Sequence, residues 1–227
     1  MKLKTLKLFC IAPFFIYQFC SGDSAEQVFS QIYSTGFWAD HETVSGHGSK
    51  LSETKAIREK LPALLKQLGI KTILDIPCGD CNWMKTIDLE DCAYTGADIV
   101  LELIKNNQQR YTQKNRQFMQ LNLITDQLPQ TDFIICRDCL VHLSFKEILS
   151  AFRNLKKSKS TYLLVTHYTN CSINQDIRTG DWRPLNFQLA PFNFCHPLLV
   201  INEQAPSGPD KDYVKTLSLW RLEDINI

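Results

Sequence analysis

Apolar residues recur along this chain at two different spacings. Short runs rich in β-branched and aromatic residues fall at 71–76, 93–98, 117–121, 132–136 and 161–166. Between them, apolar positions lie three and four residues apart. Val28, Ile32 and Tyr33 do so within 24–35, and Ile57, Leu61, Leu64, Leu65 and Leu68 do so ahead of Gly69. The same spacing returns in Val100, Leu101, Leu103, Ile104 and Tyr111, and again in Ile148, Leu149, Phe152 and Leu155 after Ser144. The first spacing predicts strands and the second predicts amphipathic helices. A further short helix is expected from Asn82 to Leu89. Strand and helix alternating in this way predict an α/β fold: a Rossmann-like, mostly parallel sheet with helices on both faces. Leu198 to Glu203 and Val214 to Leu222 flank a Pro/Gly turn and predict an antiparallel C-terminal hairpin at one edge. Trp38 to Ser52 reads as a Gly-, Ser- and His-rich loop, and 168–197 is polar, aromatic and proline-punctuated without a helical period. The chain thus divides into 1–22, a helical and loop cap at 23–69, and a core at 70–227.

Composition narrows the function only a little. At 227 residues, 44% hydrophobic and 22% charged, the chain has the make-up of a folded domain. A formal net charge of +1, with no long basic run past the first residues, gives no expectation of a nucleic-acid partner. Lys2, Lys4 and Lys7 precede an apolar run from Leu8 to Phe19, and small residues Cys20-Ser21-Gly22 follow. This is the pattern of a secretory signal or an anchor, and it is shorter than the roughly 20 apolar residues of a spanning helix. Membrane association is therefore expected only through residues 1–22, and export and cytoplasmic residence both stay open. Cleavage after Gly22 would leave seven of the nine cysteines, an odd number that does not suit a complete disulfide set.

The expected strands end in polar residues: Asp75, Asp98, Asn122 and Arg137-Asp138. In a parallel sheet these ends share one rim, where ligands of such folds bind. The turn after the first strand, Pro77-Cys78-Gly79-Asp80, keeps one glycine and lacks the three-glycine dinucleotide fingerprint. Asp98 lies 23 residues after Asp75, the spacing of a ribose-binding acid. Asn122 offers both a donor and an acceptor, which suits an adenine edge. Cys78-x-x-Cys81 and Cys136-x-x-Cys139 pair as a zinc or redox pattern would. A metal there would occupy the nucleotide loop, so no metal site is assigned.

Four segments, Ile73 to Asp80, Tyr94 to Ile99, Leu121-Asn122-Leu123 and Asp132 to Asp138, together resemble the class I S-adenosylmethionine-dependent methyltransferases. The likeness covers roughly 70–166. It is closer to a bacterial-type branch with Ser45-Gly-His-Gly-Ser49, Arg137-Asp-Cys-Leu-Val-His142 and Trp182-Arg-Pro-Leu-Asn186 segments. The resemblance implies S-adenosylmethionine as cofactor. Pro77, Cys78, Gly79 and Asp80 would hold its methionyl part beside Asp75, Asp98 with Ile99 its ribose, and Asn122 with Leu123 its adenine, while Arg137 makes a further contact. It implies methyl transfer to a small-molecule or glycan-type acceptor. His142 is the expected base when that acceptor is a hydroxyl, with Asp138 as its orienter or as a cofactor contact. Segment 168–197 would cover the acceptor side through Trp182, Arg183 and Asn193, or would simply pack its aromatics on the sheet. Two rivals are a nicotinamide-dependent oxidoreductase and a secreted or anchored binding protein that keeps the methyltransferase fold.

Overall fold

Each apolar run expected as a strand pairs into a single sheet. The computed structural model describes residues 22–89, 91–203 and 211–227, so the signal-like segment lies outside the described residues except for Gly22. The elements are α1 (Ala25–Thr35), α2 (Lys55–Leu68), β1 (Thr72–Asp75), β2 (Ala93–Asp98), α3 (Leu101–Tyr111), β3 (Arg116–Gln120), β4 (Phe133–Cys136), α4 (Phe145–Lys157), β5 (Tyr162–Tyr168), β6 (Leu199–Asn202) and β7 (Lys215–Arg221). The sheet order is β3-β2-β1-β4-β5-β7-β6. The first five strands are parallel, whereas β7 runs antiparallel to both β5 and β6. The C-terminal hairpin thus adds at the β5 edge of the parallel strands, as expected. Its second strand enters between β5 and β6, leaving β6 outermost.

The strands carry unbroken apolar runs because both faces are covered. Ile73, Phe133, Ile135 and Leu164 face a core with Ile57, Leu61 and Leu65 of α2 and Ile104 of α3. Leu74, Ile134, Leu163 and Val165 face the other core with Ile148, Phe152 and Leu155 of α4. Successive side chains of one strand thus feed opposite layers. Two helices begin with reciprocal caps, Ser24 with Gln27 at α1 and Ser144 with Glu147 at α4. Among the described residues no helix is long and apolar enough to cross a membrane.

The structure departs from the sequence reading in two places. No α-helix forms from Asn82 to Leu89; only a 3-10 turn, Met84–Thr86, is present. Trp83, Met84, Ile87 and Leu89 are buried while Lys85, Thr86 and Asp88 are exposed, and the connection packs as an irregular plug. Segment 168–197 is not a cover over the site. Leu185, Phe187, Phe192 and Phe194 are buried on the α4 face, where Phe187 stacks on Phe194 at 5.4 Å and Phe152 meets Phe194 at 4.9 Å. These rings do the work of a missing helix by filling the second layer over β5 and β7.

Phe187→Ala is expected to lower the unfolding free energy by about 3–5 kcal/mol, as for other buried phenylalanines. Half-buried Trp182 in the same segment should cost less on truncation. Urea denaturation of both variants checks this.

Candidate active site

Gly79 sits at the turn after β1 with φ +53, a left-handed backbone that side chains rarely adopt. A Cβ there would also meet the Ser45 side chain, with its Cβ at 2.9 Å. The turn needs this close approach because the 38–52 loop is stapled onto it. Asp80 accepts hydrogen bonds from the Thr43 hydroxyl at 2.8 Å and from the Val44 N–H at 3.0 Å. The Asp80 N–H donates to Ser45 Oγ at 2.8 Å. Asn82 Nδ2 donates to Glu42 Oε1 at 2.8 Å and to the Ser49 carbonyl at 3.1 Å. Asp80 is therefore a clasp between two loops and lies off the pocket wall, not among its lining residues as its place in the motif suggested.

A cleft opens at the carboxyl ends of β1, β2 and β4, enclosing about 1020 Å³ when its open mouth is counted. That is room for a nucleoside cofactor together with a small acceptor. Pro77, Cys78, Gly79, Asp98, Ile99, Asn122, Leu123, Arg137, Asp138 and His142 line it, so most of the residues expected at the site converge. Asp98 Oδ2 accepts from the Gly79 N–H at 3.1 Å and Oδ1 from the Val100 N–H at 3.0 Å. Burial raises its pKa to about 6 against those two bonds. Asn122 Oδ1 accepts from the Ile124 N–H at 2.9 Å, which turns the amide nitrogen into its ligand-facing group.

Asp75 is close by but does not line the cleft. It is buried below the turn, accepts from the Tyr94 hydroxyl at 2.7 Å and leaves Oδ1 without a partner. Burial raises its pKa to about 7. The C-x-x-C pairs separate: Cys78 and Cys81 pack in the α2-side core, while Cys136 and Cys139 belong to the α4 side. Burial pushes the Cys81 thiol up to about 12, and among the described residues no three His, Cys, Asp or Glu side chains are placed to hold a metal.

A buried charge cluster closes the cleft behind β4. Arg137 Nε donates to Glu203 Oε1 at 3.0 Å, and its Nη1 lies 3.0 Å from Asp138 Oδ2. Lys215 Nζ donates to the same oxygen at 2.7 Å, and the Thr166 hydroxyl donates to Asp138 Oδ1 at 3.1 Å. Burial alone would raise the Asp138 pKa, but the Arg137 and Lys215 charges outweigh it and hold the carboxyl well below the carboxylate range. Gly48 packs against this cluster so closely that a Cβ would come within 2.8 Å of Asp138 Oδ2. Asp138 is thus engaged with cations and a hydroxyl, and it is not the orienter of His142. That role falls to a backbone group, the Asp181 carbonyl, 2.9 Å from His142 Nδ1. A carbonyl only accepts, so Nδ1 carries the proton and Nε2 keeps its lone pair. Burial lowers the His142 pKa to about 4, leaving the ring neutral near pH 7.

The remaining sequence candidates lie elsewhere. Arg183 is buried and donates to the carbonyls of Leu140 at 2.8 Å and Leu143 at 2.6 Å, clamping the turn that carries His142. Trp182 packs edge-on against Tyr168 at 6.1 Å. Asn193 is exposed, with φ 52 at a turn. None of the three lines the cleft. Conversely, the sequence reading missed Asn107, whose Nδ2 donates to the Gly79 carbonyl at 2.7 Å. A polar residue spaced with Leu103 and Ile104 on the buried side of α3 was the available signal. It also missed the cleft wall formed by Ala25, Phe29 and Ile32 of α1 and by Trp38.

Residues 74–159, from the end of β1 through α4, match the family described as "Methyltransferase domain". Over this segment the chain is similar to class I S-adenosylmethionine-dependent methyltransferases. No curated protein matches the chain in sequence. Among solved structures it is similar to magnesium protoporphyrin IX methyltransferase (ChlM) from Synechocystis PCC 6803 with bound SAM. The TM-score there is 0.56 at 13% identity, covering 88% of this chain and 99% of that one. It is also similar to human N-acetylserotonin methyltransferase in complex with SAM, with TM-score 0.56 at 12% identity, covering 88% of this chain and 60% of that one. At such identities the likeness is one of fold.

The cleft has a group suited to S-adenosylmethionine, the cofactor that the resemblance implies. Arg137 Nη2 is buried without a partner, and Arg137 lines the cleft beside Trp83. A ligand carboxylate, such as the one at the methionyl end, satisfies such a donor.

Asp98 accepts hydroxyl protons best when ionised, so cofactor affinity should fall below about pH 6 and be about tenfold weaker at pH 5 than at pH 7.5. Asp98→Asn should bind weakly at both pH values and lose this dependence. Calorimetric titration with S-adenosylhomocysteine reads both effects.

Proposed function

We propose that this protein transfers the methyl group of S-adenosylmethionine to a hydroxyl oxygen of a small-molecule acceptor, with His142 as the general base. The observation that carries the reading is the Asp181 carbonyl at His142 Nδ1, which leaves the Nε2 lone pair available in a ring that lines the cleft. When bound, S-adenosylmethionine supplies a methyl group already activated by its sulfonium, so alignment and proton removal are what the chain has to provide. Asp98 would take the ribose hydroxyls, Asn122 the adenine edge and Arg137 the methionyl carboxylate. His142 Nε2 would receive the acceptor's hydroxyl proton as the oxygen–methyl bond forms. Asp138 holds Arg137 and Lys215 in place and takes no proton, because its neighbours keep it ionised. A small acceptor suits the wall beside His142 better than a glycan, whose many hydroxyls need matched polar partners.

His142→Gln is expected to lower kcat by roughly 10²–10⁴-fold for a hydroxyl acceptor while leaving the S-adenosylhomocysteine Kd within a factor of about two. Because His142 titrates near 4, wild-type kcat should stay flat from pH 8 to about 5 and fall below that. Methyl transfer from labelled cofactor, followed across pH, checks this. An unchanged kcat in the variant would remove His142 from the chemistry.

A further inference from the structure

The acceptor end of the cleft has a distinct chemical character. Phe29 and Trp38 approach at 5.9 Å between ring centres, and Trp38 and His142 at 4.6 Å, tilted by 38°. The three rings form a row along one wall, continued by Cys139 and Leu143. Hydroxyls lining the cleft are partly engaged within the protein: Ser45 Oγ accepts from the Asp80 N–H and Ser49 Oγ donates to the Ser45 carbonyl at 3.4 Å. Tyr33 Oη accepts from Asn106 at 3.1 Å. Lys215 and the Nε and Nη1 groups of Arg137 are taken up by Asp138 and Glu203, which leaves Arg137 Nη2, the donor assigned above to the cofactor carboxylate. Beside His142 the wall thus offers aromatic faces and one neutral imidazole lone pair, with few polar groups for a polyol's many hydroxyls.

We infer that the acceptor is a planar aryl alcohol, its ring lying along the Phe29–Trp38 wall and its phenolic O–H directed at His142 Nε2. This rests on the hydroxyl-methylating reading above. Aromatic rings in such rows add stacking or edge contacts beyond their area, and the nearby sulfonium supplies the electrophile. The base strength agrees. A ring with pKa about 4 is a weak base, suited to an acidic phenol (~10 in model compounds) and poorly suited to a hydroxyl held as tightly as that of water (~15.7). In the step, the O–H proton moves to Nε2, the oxygen pair forms the new O–CH₃ bond and the S–CH₃ bond breaks, leaving neutral thioether and an imidazolium that releases its proton to solvent.

The test uses 2-naphthol, methyl glucoside and benzyl alcohol as probes with the full-length protein. Cofactor affinity is measured first. Binding of 2-naphthol to the S-adenosylhomocysteine complex should be saturable by calorimetry and weakened at least tenfold in Trp38→Ala. Trp38→Phe and His142→Gln should stay within about threefold of wild type. Labelled methyl should appear on the naphthol oxygen at least a hundredfold faster than on the other two probes. Preference for methyl glucoside or benzyl alcohol, no saturable naphthol binding, or binding indifferent to Trp38→Ala would each overturn the aryl-alcohol inference while leaving the methyltransferase reading intact. Failure of the cofactor itself to bind would overturn both.

Discussion

Three buried charged side chains gathered around Asp138, just past the end of β4, set the shape of this site. Arg137, Glu203 and Lys215 are each 5% exposed or less, and they surround Asp138. Charges taken out of water persist only when paired and hydrogen-bonded, and removing one partner strands the others. Here the pairing joins segments far apart in sequence: the turn after β4, Thr166 of β5, the end of β6 and the start of β7. Gly48 lies against the same carboxylate, so the 38–52 loop is seated by the cluster as well. The inserted strand β7 thereby does more than close the sheet. It brings Lys215 against Asp138, which lines the cleft.

From that fixed cluster the rest follows by contact. The 38–52 loop, held through Asp80 and Asn82, presses Ser45 onto Gly79 and presents Trp38 to His142. Segment 168–197 acts from behind. Arg183 caps the carbonyls of the turn that carries His142, and the Asp181 carbonyl selects the tautomer of that ring. The aromatic block of Phe187, Phe192 and Phe194 anchors this scaffold to the sheet. A side chain on a short turn, His142, is thus held by buried hydrogen bonds and packing, which is how a loop residue acquires a fixed direction.

The elements were largely legible in the sequence because their signals are local. β2 was read with its observed ends, Ala93 to Asp98, since a β-prone run stops at an acid. α4 was read from Ser144 because a cap and an apolar stripe sit side by side. The convergence of Asp98, Asn122 and Arg137 was also legible, because parallel strands place their carboxyl ends on one rim. Asn82 to Leu89 misled because closely spaced apolar residues in a short segment mark burial as readily as helix. Asp80 misled because a motif position does not show which neighbour claims its carboxylate.

By itself, the sequence determined the layer order of this protein, the rim that holds the site and the residue types available there. Periodicity states which side of an element is buried, and strand direction states which end faces a ligand. Only the tertiary structure decided which groups are spent on the protein and which remain for a ligand. Asp138 went to Arg137 and Lys215, Arg183 to backbone carbonyls, and Asp75 to Tyr94, while His142 took its direction from a carbonyl that no side-chain pattern encodes. The reason is physical: a polar group's chemistry depends on its partners across the fold, and those partners lie tens of residues away along the chain.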